Sequence, residues 1–340
     1  MVNKNRFIIS GGGTGGHIYP ALSIANKIKE SFTNSEIKFV GAKGRMEMNI
    51  IPKYGYNIEG LWISGLKRSF SFKNFLLPFK LIISFIHSLF IIIKFNPKFV
   101  IGTGGFASFP IVFISSILRI PTLIQEQNSL PGISNRLLSR YVNYISVAYE
   151  KMEKYFPSKK LFLTGNPIRE SISKSNSSFN LKSKLNIEDS KLVISILGGS
   201  LGSDKINKTI EKNIDFLISK NVFIIWQCGK DYFKDYKKYN SDLIYVTDFI
   251  DDIDSIYNSS DIILARSGAL TLSELAIVSK PAILIPSPNV AENHQLENAM
   301  KIEEKNACIC IQEKDLDLIF RNKLDLLLKD KKLRNELSNN

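Results

Sequence analysis

Twice in this chain a short apolar run passes directly into glycines and then into a helical pattern. Phe7–Ser10 leads into Gly11-Gly12-Gly13-Thr14-Gly15-Gly16 and on to Ala21–Glu30. Leu192–Leu197 leads into Gly198-Gly199-Ser200-Leu201-Gly202 and on to Ile206–Lys220. A strand that enters a glycine turn and leaves as a helix is the opening of a βαβ unit. The other apolar runs are Ile37–Gly41, Phe99–Gly102, Pro121–Gln125 and Tyr144–Ala148, then Val222–Gln227, Leu243–Val246, Ile262–Ala265 and Ala282–Ile285. They alternate with amphipathic stretches, which argues for parallel sheets with helices on both faces. A chain of 340 residues is too long for one ordinary compact domain. The restart of the pattern therefore implies an α/β protein of two Rossmann-like domains. Gly165-Asn166-Pro167 and the polar segment Ser171–Asn186 suit a hinge, giving an N-terminal domain 1–164 and a C-terminal domain 165–340.

The glycine turns carry the first chemical signal. Glycines let a backbone approach a ligand closely, and the helix that follows presents N–H groups to an anion. Gly11, Gly13 and Gly16 satisfy the spacing of a dinucleotide fingerprint, but that fingerprint needs a carboxylate near the end of the second strand to hold a ribose. The second strand ends Val40-Gly41-Ala42-Lys43, so a dinucleotide cofactor is not expected. His17 follows the turn at the start of a helix, where N–H groups favour neutral imidazole, a species able to accept a proton; a purely structural role as a turn cap competes. A further turn, Gly102-Thr103-Gly104-Gly105, falls on the same carboxyl edge, where open α/β sheets bind ligands. Two such loops suggest a diphosphate-bearing ligand, against a packing role in which Phe106 and Phe109 fill core.

In the second half, Arg266-Ser267-Gly268-Ala269-Leu270-Thr271-Leu272-Ser273-Glu274 follows an apolar run. Ser267 and Gly268 mark a helix entry whose amides can hold a phosphate, and Glu274, two turns in, can accept both hydroxyls of a ribose. Asn293, His294 and Gln295 sit on the next edge loop, placed to read sugar hydroxyls or to cap a helix. Asp248, Asp251, Asp252 and Asp254 cluster at a strand end and helix start, which fits a cap better than a metal cage; no metal site is expected. Cys228, Cys308 and Cys310 have no paired CxxC spacing and read as reduced core thiols, Cys308 and Cys310 alternating within a strand.

The formal charge of +13 fits nucleic acid, a membrane surface or acidic metabolites, or a lysine-rich compositional bias. No cleavable leader pattern opens the sequence, so the chain is expected in the cytosol. Phe75–Phe95 is strongly apolar but contains Pro78, Lys80, His87 and Lys94, with Leu81–Ile93 as its longest uncharged core; a span of about 20 apolar residues is not met. Lys67, Arg68, Lys73, Lys80 and Lys94 surround Phe72, Phe75, Leu76, Leu77 and Phe79, the pattern of an anchor on anionic lipid. The expectation is a helix with one face in the core and its Phe72–Phe79 end against lipid.

Taken together, GGGTGGH at 11–17, GTGGFASFP at 102–110, QEQNSLPG at 125–132, GNPIR at 165–169, LGGSLGS at 197–203, VTDFIDDI at 246–253, RSGALTLSELA at 266–276 and HQLENA at 294–299 resemble the MurG family. The motifs run in order along nearly the whole chain. The resemblance implies a GT-B fold with a cleft between two Rossmann-like domains. It implies inverting, metal-independent transfer of GlcNAc from UDP-GlcNAc to lipid I (undecaprenyl-pyrophosphoryl-MurNAc-pentapeptide), giving lipid II and UDP in peptidoglycan synthesis. It places the enzyme peripherally on the cytoplasmic face of the cell membrane, with no nucleic-acid partner and other cell-wall synthesis proteins as candidate partners. Carried over residue by residue, the substrate-binding set is Thr14, Gly15, Gly16, Asn128, Arg169, Ser200, Ile250, Ala269, Leu270, Thr271, Leu272, Ser273, Glu274 and Gln295. Gly13, Gly104 and Gly105 would meet the acceptor pyrophosphate. His17 becomes the leading candidate base and Glu126 a weaker one. This sequence departs from the family at His294, where another polar residue is frequent, and at Gln125, where His is frequent. The sequence also stops soon after Arg334-Asn335-Glu336, so the last helix, which in the family returns to the first domain, is expected to be short. Competing functions are another GT-B transferase acting on a lipid such as diacylglycerol, and a non-catalytic nucleotide-binding membrane scaffold.

Overall fold

The computed structural model describes residues 5–65, 76–169, 172, 181–199, 201–250, 252–290 and 293–340. The chain divides into two compact units, Met1–Arg169 and Glu170–Asn340. The division falls a few residues beyond the hinge expected at 164/165, because Asn166 is hydrogen-bonded to Gln125 and Gln127, and Arg169 lies over the Tyr19 ring.

In the first unit, β1 (Asn5–Ser10), β2 (Ser35–Ala42), β3 (Asn57–Leu61), β4 (Phe99–Gly102), β5 (Thr122–Glu126), β6 (Tyr144–Val147) and β7 (Leu161–Leu163) form one sheet in the order β3-β2-β1-β4-β5-β6-β7. Every pairing is parallel. The connections include α1 (Gly15–Ser31), α2 (Glu47–Ile50), α3 (Leu77–Phe95), α4 (Ser108–Ile117) and α5 (Ile133–Leu138). Successive strand residues point to opposite faces, so the apolar runs feed two cores. Ile9, Phe39 and Ile101 pack with Ile18, Ala21, Leu22 and Ala25 of α1. Ile8, Val40, Val100 and Ile124 pack with α3 and α4 on the other face.

The second unit repeats the plan. β8 (Val193–Leu197), β9 (Phe223–Gln227), β10 (Ile244–Thr247), β11 (Ile262–Ala265), β12 (Ala282–Leu284) and β13 (Ile309–Cys310) pair in the order β10-β9-β8-β11-β12-β13, again all parallel. Around them lie α6 (Asp204–Lys212), α7 (Ile253–Ser259), α8 (Ala269–Val278), α9 (His294–Glu303), α10 (Leu316–Lys329) and α11 (Lys331–Asn339). Buried Trp226 is fixed by Asn207, which accepts its indole N–H at 2.9 Å and donates to the Cys228 carbonyl at 2.9 Å. The last helix packs Leu333 and Leu337 onto this second core. Cys228 and Cys308 are buried free thiols, and burial pushes Cys228 and Cys310 up to about 11.

In each sheet the strand order reverses between two neighbours, β1 and β4 in the first and β8 and β11 in the second. That reversal opens a crevice at the carboxyl edge. Each glycine turn noted in the sequence leaves one of these four strands.

Candidate active site

At the carboxyl edge of the first sheet, the turns after β1 and β4 lock together. A Cβ on Gly105 would stand 2.3 Å from the Gly12 carbonyl oxygen, and one on Gly11 would collide with Thr103 Oγ1. Gly104 and Gly105 adopt φ of +97° and +78°, a region that favours glycine. Thr103 crosses between the turns, its N–H donating to Ser10 O and its hydroxyl to His17 O, each at 2.8 Å. The His17 ring lies against the second turn, where a Cβ on Gly104 would be 2.9 Å from its Cδ2 and 3.1 Å from its Nε2. Its Nδ1 stands 3.1 Å from the Gly12 carbonyl oxygen and 3.2 Å from Thr14 Oγ1. A carbonyl only accepts, so that contact calls for a proton on Nδ1; in a neutral imidazole the lone pair is then on Nε2. Thr14 caps α1 with extended backbone, and Gly15 and Gly16 form the first turn of that helix.

The Gly13 N–H donates to Oε2 of the buried Glu47 at 3.0 Å. Glu47 is a site residue that no motif in the sequence revealed. Glu126 also reads differently in three dimensions. It is 2% exposed. Its Oε1 accepts from the Asn128 N–H at 3.0 Å and from Asn128 Nδ2 at 3.3 Å. Its Oε2 accepts from the Gly132 N–H at 3.1 Å and from Asn135 Nδ2 at 2.9 Å. Burial pushes its carboxyl above the ordinary range, opposed by these four donors. With both oxygens committed, Glu126 staples the 127–135 loop. Gln127 donates to Thr103 O at 2.7 Å and to Gln125 Oε1, and Gln125 donates to Asn166 Oδ1 at 3.0 Å. The loop at 125–132 and the segment at 165–169 are thus tied to the second glycine turn. Arg169 lies with its guanidinium 4.6 Å from the Tyr19 ring centre on α1.

In the second unit, Gly202 approaches Gly229 so closely that a Cβ there would stand 2.1 Å from Cys228 O. Ser200 lies outside the described residues. Ser203 caps α6, accepting from Ile206 N–H. Gly268 caps α8, whose first turn carries no acidic residue, a composition compatible with an anion at the helix N-terminus. The Ser267 hydroxyl donates to Gln295 O at 2.8 Å, and Gln295 Oε1 accepts from Ser287 N–H at 2.9 Å, so Gln295 braces the edge loop with both backbone and side chain. Leu272 is 4% exposed and belongs to the packed face of α8; Leu270, Thr271 and Ser273 are half-buried. Glu274 is 7% exposed and its Oε2 accepts from the Tyr257 hydroxyl at 2.9 Å. Tyr257 is a second residue the sequence did not flag. Ile250 is half-buried in the loop after β10. Asp252 caps α7, accepting from Ser255 N–H at 3.2 Å, the role expected for the acidic cluster; Asp251 lies outside the described residues.

The surface of α3 extends the sequence expectation. Phe79, Ile82, Ile86, Phe90 and Ile93 are each more than half exposed, along the whole helix rather than at its start. The buried face instead carries Ser84 and Ser88 beside Ile91, Ile92 and Phe95, with Ser84 donating to Trp62 O. Small serines permit close packing, so the large apolar side chains face outward. Leu76 is half exposed, and Lys80 reaches Ser64 Oγ and lies over the Trp62 ring. Lys67, Arg68, Phe72, Lys73 and Phe75 lie outside the described residues.

Two Rossmann-like units with paired turns at both strand-order reversals define a GT-B glycosyltransferase fold. The sequence matches the glycosyltransferase family 28 N-terminal domain over residues 7–147 and the family 28 C-terminal domain over residues 193–340. It is 50% identical, over 100% of this chain and 93% of the relative, to the UDP-N-acetylglucosamine--N-acetylmuramyl-(pentapeptide) pyrophosphoryl-undecaprenol N-acetylglucosamine transferase of Flavobacterium psychrophilum. A protein of the same name from Christiangramia forsetii is 48% identical over 98% of this chain and 92% of its own. The crystal structure of Acinetobacter baumannii MurG superposes with a TM-score of 0.74 at 24% identity, covering 99% of this chain and 94% of that one. The chain belongs to glycosyltransferase family 28 and, within it, to the MurG family.

The Glu126 staple has a direct check. Glu126→Gln turns an N–H₂ toward donors, and leaving a buried polar group unsatisfied costs about 1–3 kcal/mol. Urea unfolding should show a loss of that size; an unchanged midpoint would mean that the carboxylate is not holding the loop.

Proposed function

We propose that this chain transfers GlcNAc from UDP-GlcNAc to the 4-hydroxyl of the MurNAc sugar of lipid I, giving lipid II and UDP. The observation that carries this reading is identity at half of all positions, over the whole chain, with a transferase of that printed name. The site geometry supplies a chemical route. His17 Nε2 accepts the proton of the acceptor hydroxyl as its oxygen bonds to the anomeric carbon. The bond from that carbon to the UDP oxygen breaks, its electron pair leaves with the diphosphate, and the configuration inverts. The N-terminus of α8 stabilises the diphosphate charge, and Glu274, oriented by Tyr257, accepts the ribose hydroxyls. The proposed transferase is metal-independent, with the α8 N-terminus offsetting the leaving charge. The Gly104-Gly105 turn offers backbone to the acceptor pyrophosphate.

The lipid acceptor also requires a membrane surface. The α3 helix is long and apolar enough to cross a bilayer. However, it packs by its serine face on the first unit, and His87 pairs with Glu59 of β3 at 3.0 Å. The reading is an interfacial helix: its Phe79–Ile93 face enters the acyl boundary of anionic lipid, and the basic excess of the chain supplies the electrostatic attraction. The proposed reading is of a peripheral enzyme on the cytoplasmic face of the membrane.

Labelled UDP-GlcNAc with a lipid I analogue tests the reaction. The label should pass to lipid I and not to diacylglycerol. In the same assay His17→Ala should lower kcat by about 10²–10⁴-fold, the usual worth of a general base, with KM for UDP-GlcNAc little changed. Transfer to diacylglycerol alone, or nucleotide binding with no transfer, contradicts the proposal. A second test pairs Ile86→Glu with Phe90→Glu. The variant should lose sedimentation with phosphatidylglycerol vesicles yet keep turnover on a water-soluble acceptor; undiminished vesicle binding would remove α3 from the interface.

A further inference from the structure

We propose that Glu47 is a positioning residue that acts on His17 through a single peptide group. The Gly12–Gly13 peptide has two polar ends. Its N–H, on Gly13, donates to Glu47 Oε2 at 3.0 Å. Its carbonyl, on Gly12, stands 3.1 Å from His17 Nδ1. Carboxylate, peptide and imidazole thus form one line of hydrogen bonds. The peptide is planar and rigid, so fixing the direction of its N–H also fixes the direction of its C=O. Hydrogen bonds in series polarise one another. An anion on the N–H makes the carbonyl oxygen a stronger acceptor and holds the proton on Nδ1. Nε2 is thereby kept as the ring's acceptor.

The fold is built around this carboxylate. Glu47 is fully buried, 0% exposed. It lies in a slot cleared by two glycines. A Cβ on Gly12 would stand 2.2 Å from its Oε1, and one on Gly41 would stand 2.6 Å from its Cγ. Its Oε1 accepts from the Ala42 N–H at 3.0 Å, so the side chain joins the end of β2 to the turn after β1. Both partners are donors. An acceptor-only carboxylate satisfies both, whereas an amide must turn its N–H₂ toward one of them. Glu47 touches no substrate position in this reading. Its effect on the reaction passes through His17, and the kinetic part of the inference rests on His17 as the base.

The test is ¹⁵N-imidazole NMR of His17 together with steady-state kinetics. The wild-type protein should show the Nδ1–H tautomer of His17; an Nε2–H tautomer there overturns the proposal without any variant. In Glu47→Gln the two tautomers should mix, with kcat lowered about ten-fold or more and KM for UDP-GlcNAc within about two-fold of wild type. Glu47→Asp, which keeps the charge but withdraws it by one methylene, should show the same mixing to a smaller degree. A folded Glu47→Gln that retains the pure Nδ1–H tautomer, or a loss confined to KM, overturns the relay. A mixed tautomer with unchanged kcat upholds the relay and overturns His17 as the base, so the two failures are told apart.

Discussion

The closeness of the Gly12 carbonyl to the Gly105 backbone governs the first unit's site. The two turns leave neighbouring strands at the point where the sheet order reverses, and no side chain fits between them. Around this contact lie the positive φ values at 104 and 105, the close approach of Gly11 to Thr103 and the seat of the His17 ring. The histidine is held by backbone, which does not change rotamer. Its Nδ1 also stands 3.2 Å from Thr14 Oγ1, so the chain path and one side chain together seat the ring.

The second unit uses the same topology for a different purpose. Gly202 and Gly229 approach as closely as Gly12 and Gly105, with no histidine directly following the turn at 198–202. Instead Gly268 opens a helix without acidic residues in its first turn, and a buried carboxylate, Glu274, stands two turns in against Tyr257. One edge holds an imidazole against backbone, and the other a helix N-terminus with a buried carboxylate two turns in. The repeated fold thus carries a different polar set at each edge.

Much of this was legible in the sequence. The apolar runs feeding the central strands were continuous because those strands are buried on both faces, and the glycine turns stood out for the same geometric reason that they matter. β3 and β7 were not legible. They sit at the edges of the first sheet: β3 carries the polar Asn57 and Glu59, and the apolar run of β7 is only the three residues Leu161–Leu163. The outward apolar face of α3 was half seen. Its composition was plain, but the inward turn of Ser84 and Ser88 depends on close packing that periodicity does not report. Glu47 and Tyr257 were missed because each is a lone polar residue whose partners are remote or backbone. Glu126 lay within a motif, but only its four donors identify it as a staple. Gly13 likewise matched a phosphate loop by spacing while its N–H faces the interior.

The account rests on the two turns holding His17 in place, and Gly105→Ala tests that contact most directly. The added methyl meets the Gly12 carbonyl at 2.3 Å, so the turns must part and the imidazole must move. Single-turnover transfer to a lipid I analogue, with UDP affinity measured by calorimetry on the same sample, separates the two edges. The account predicts a rate lowered on the order of 10²-fold, the usual consequence of an ångström-scale misplacement, with UDP affinity unchanged. A folded Gly105→Ala enzyme with wild-type turnover would contradict it.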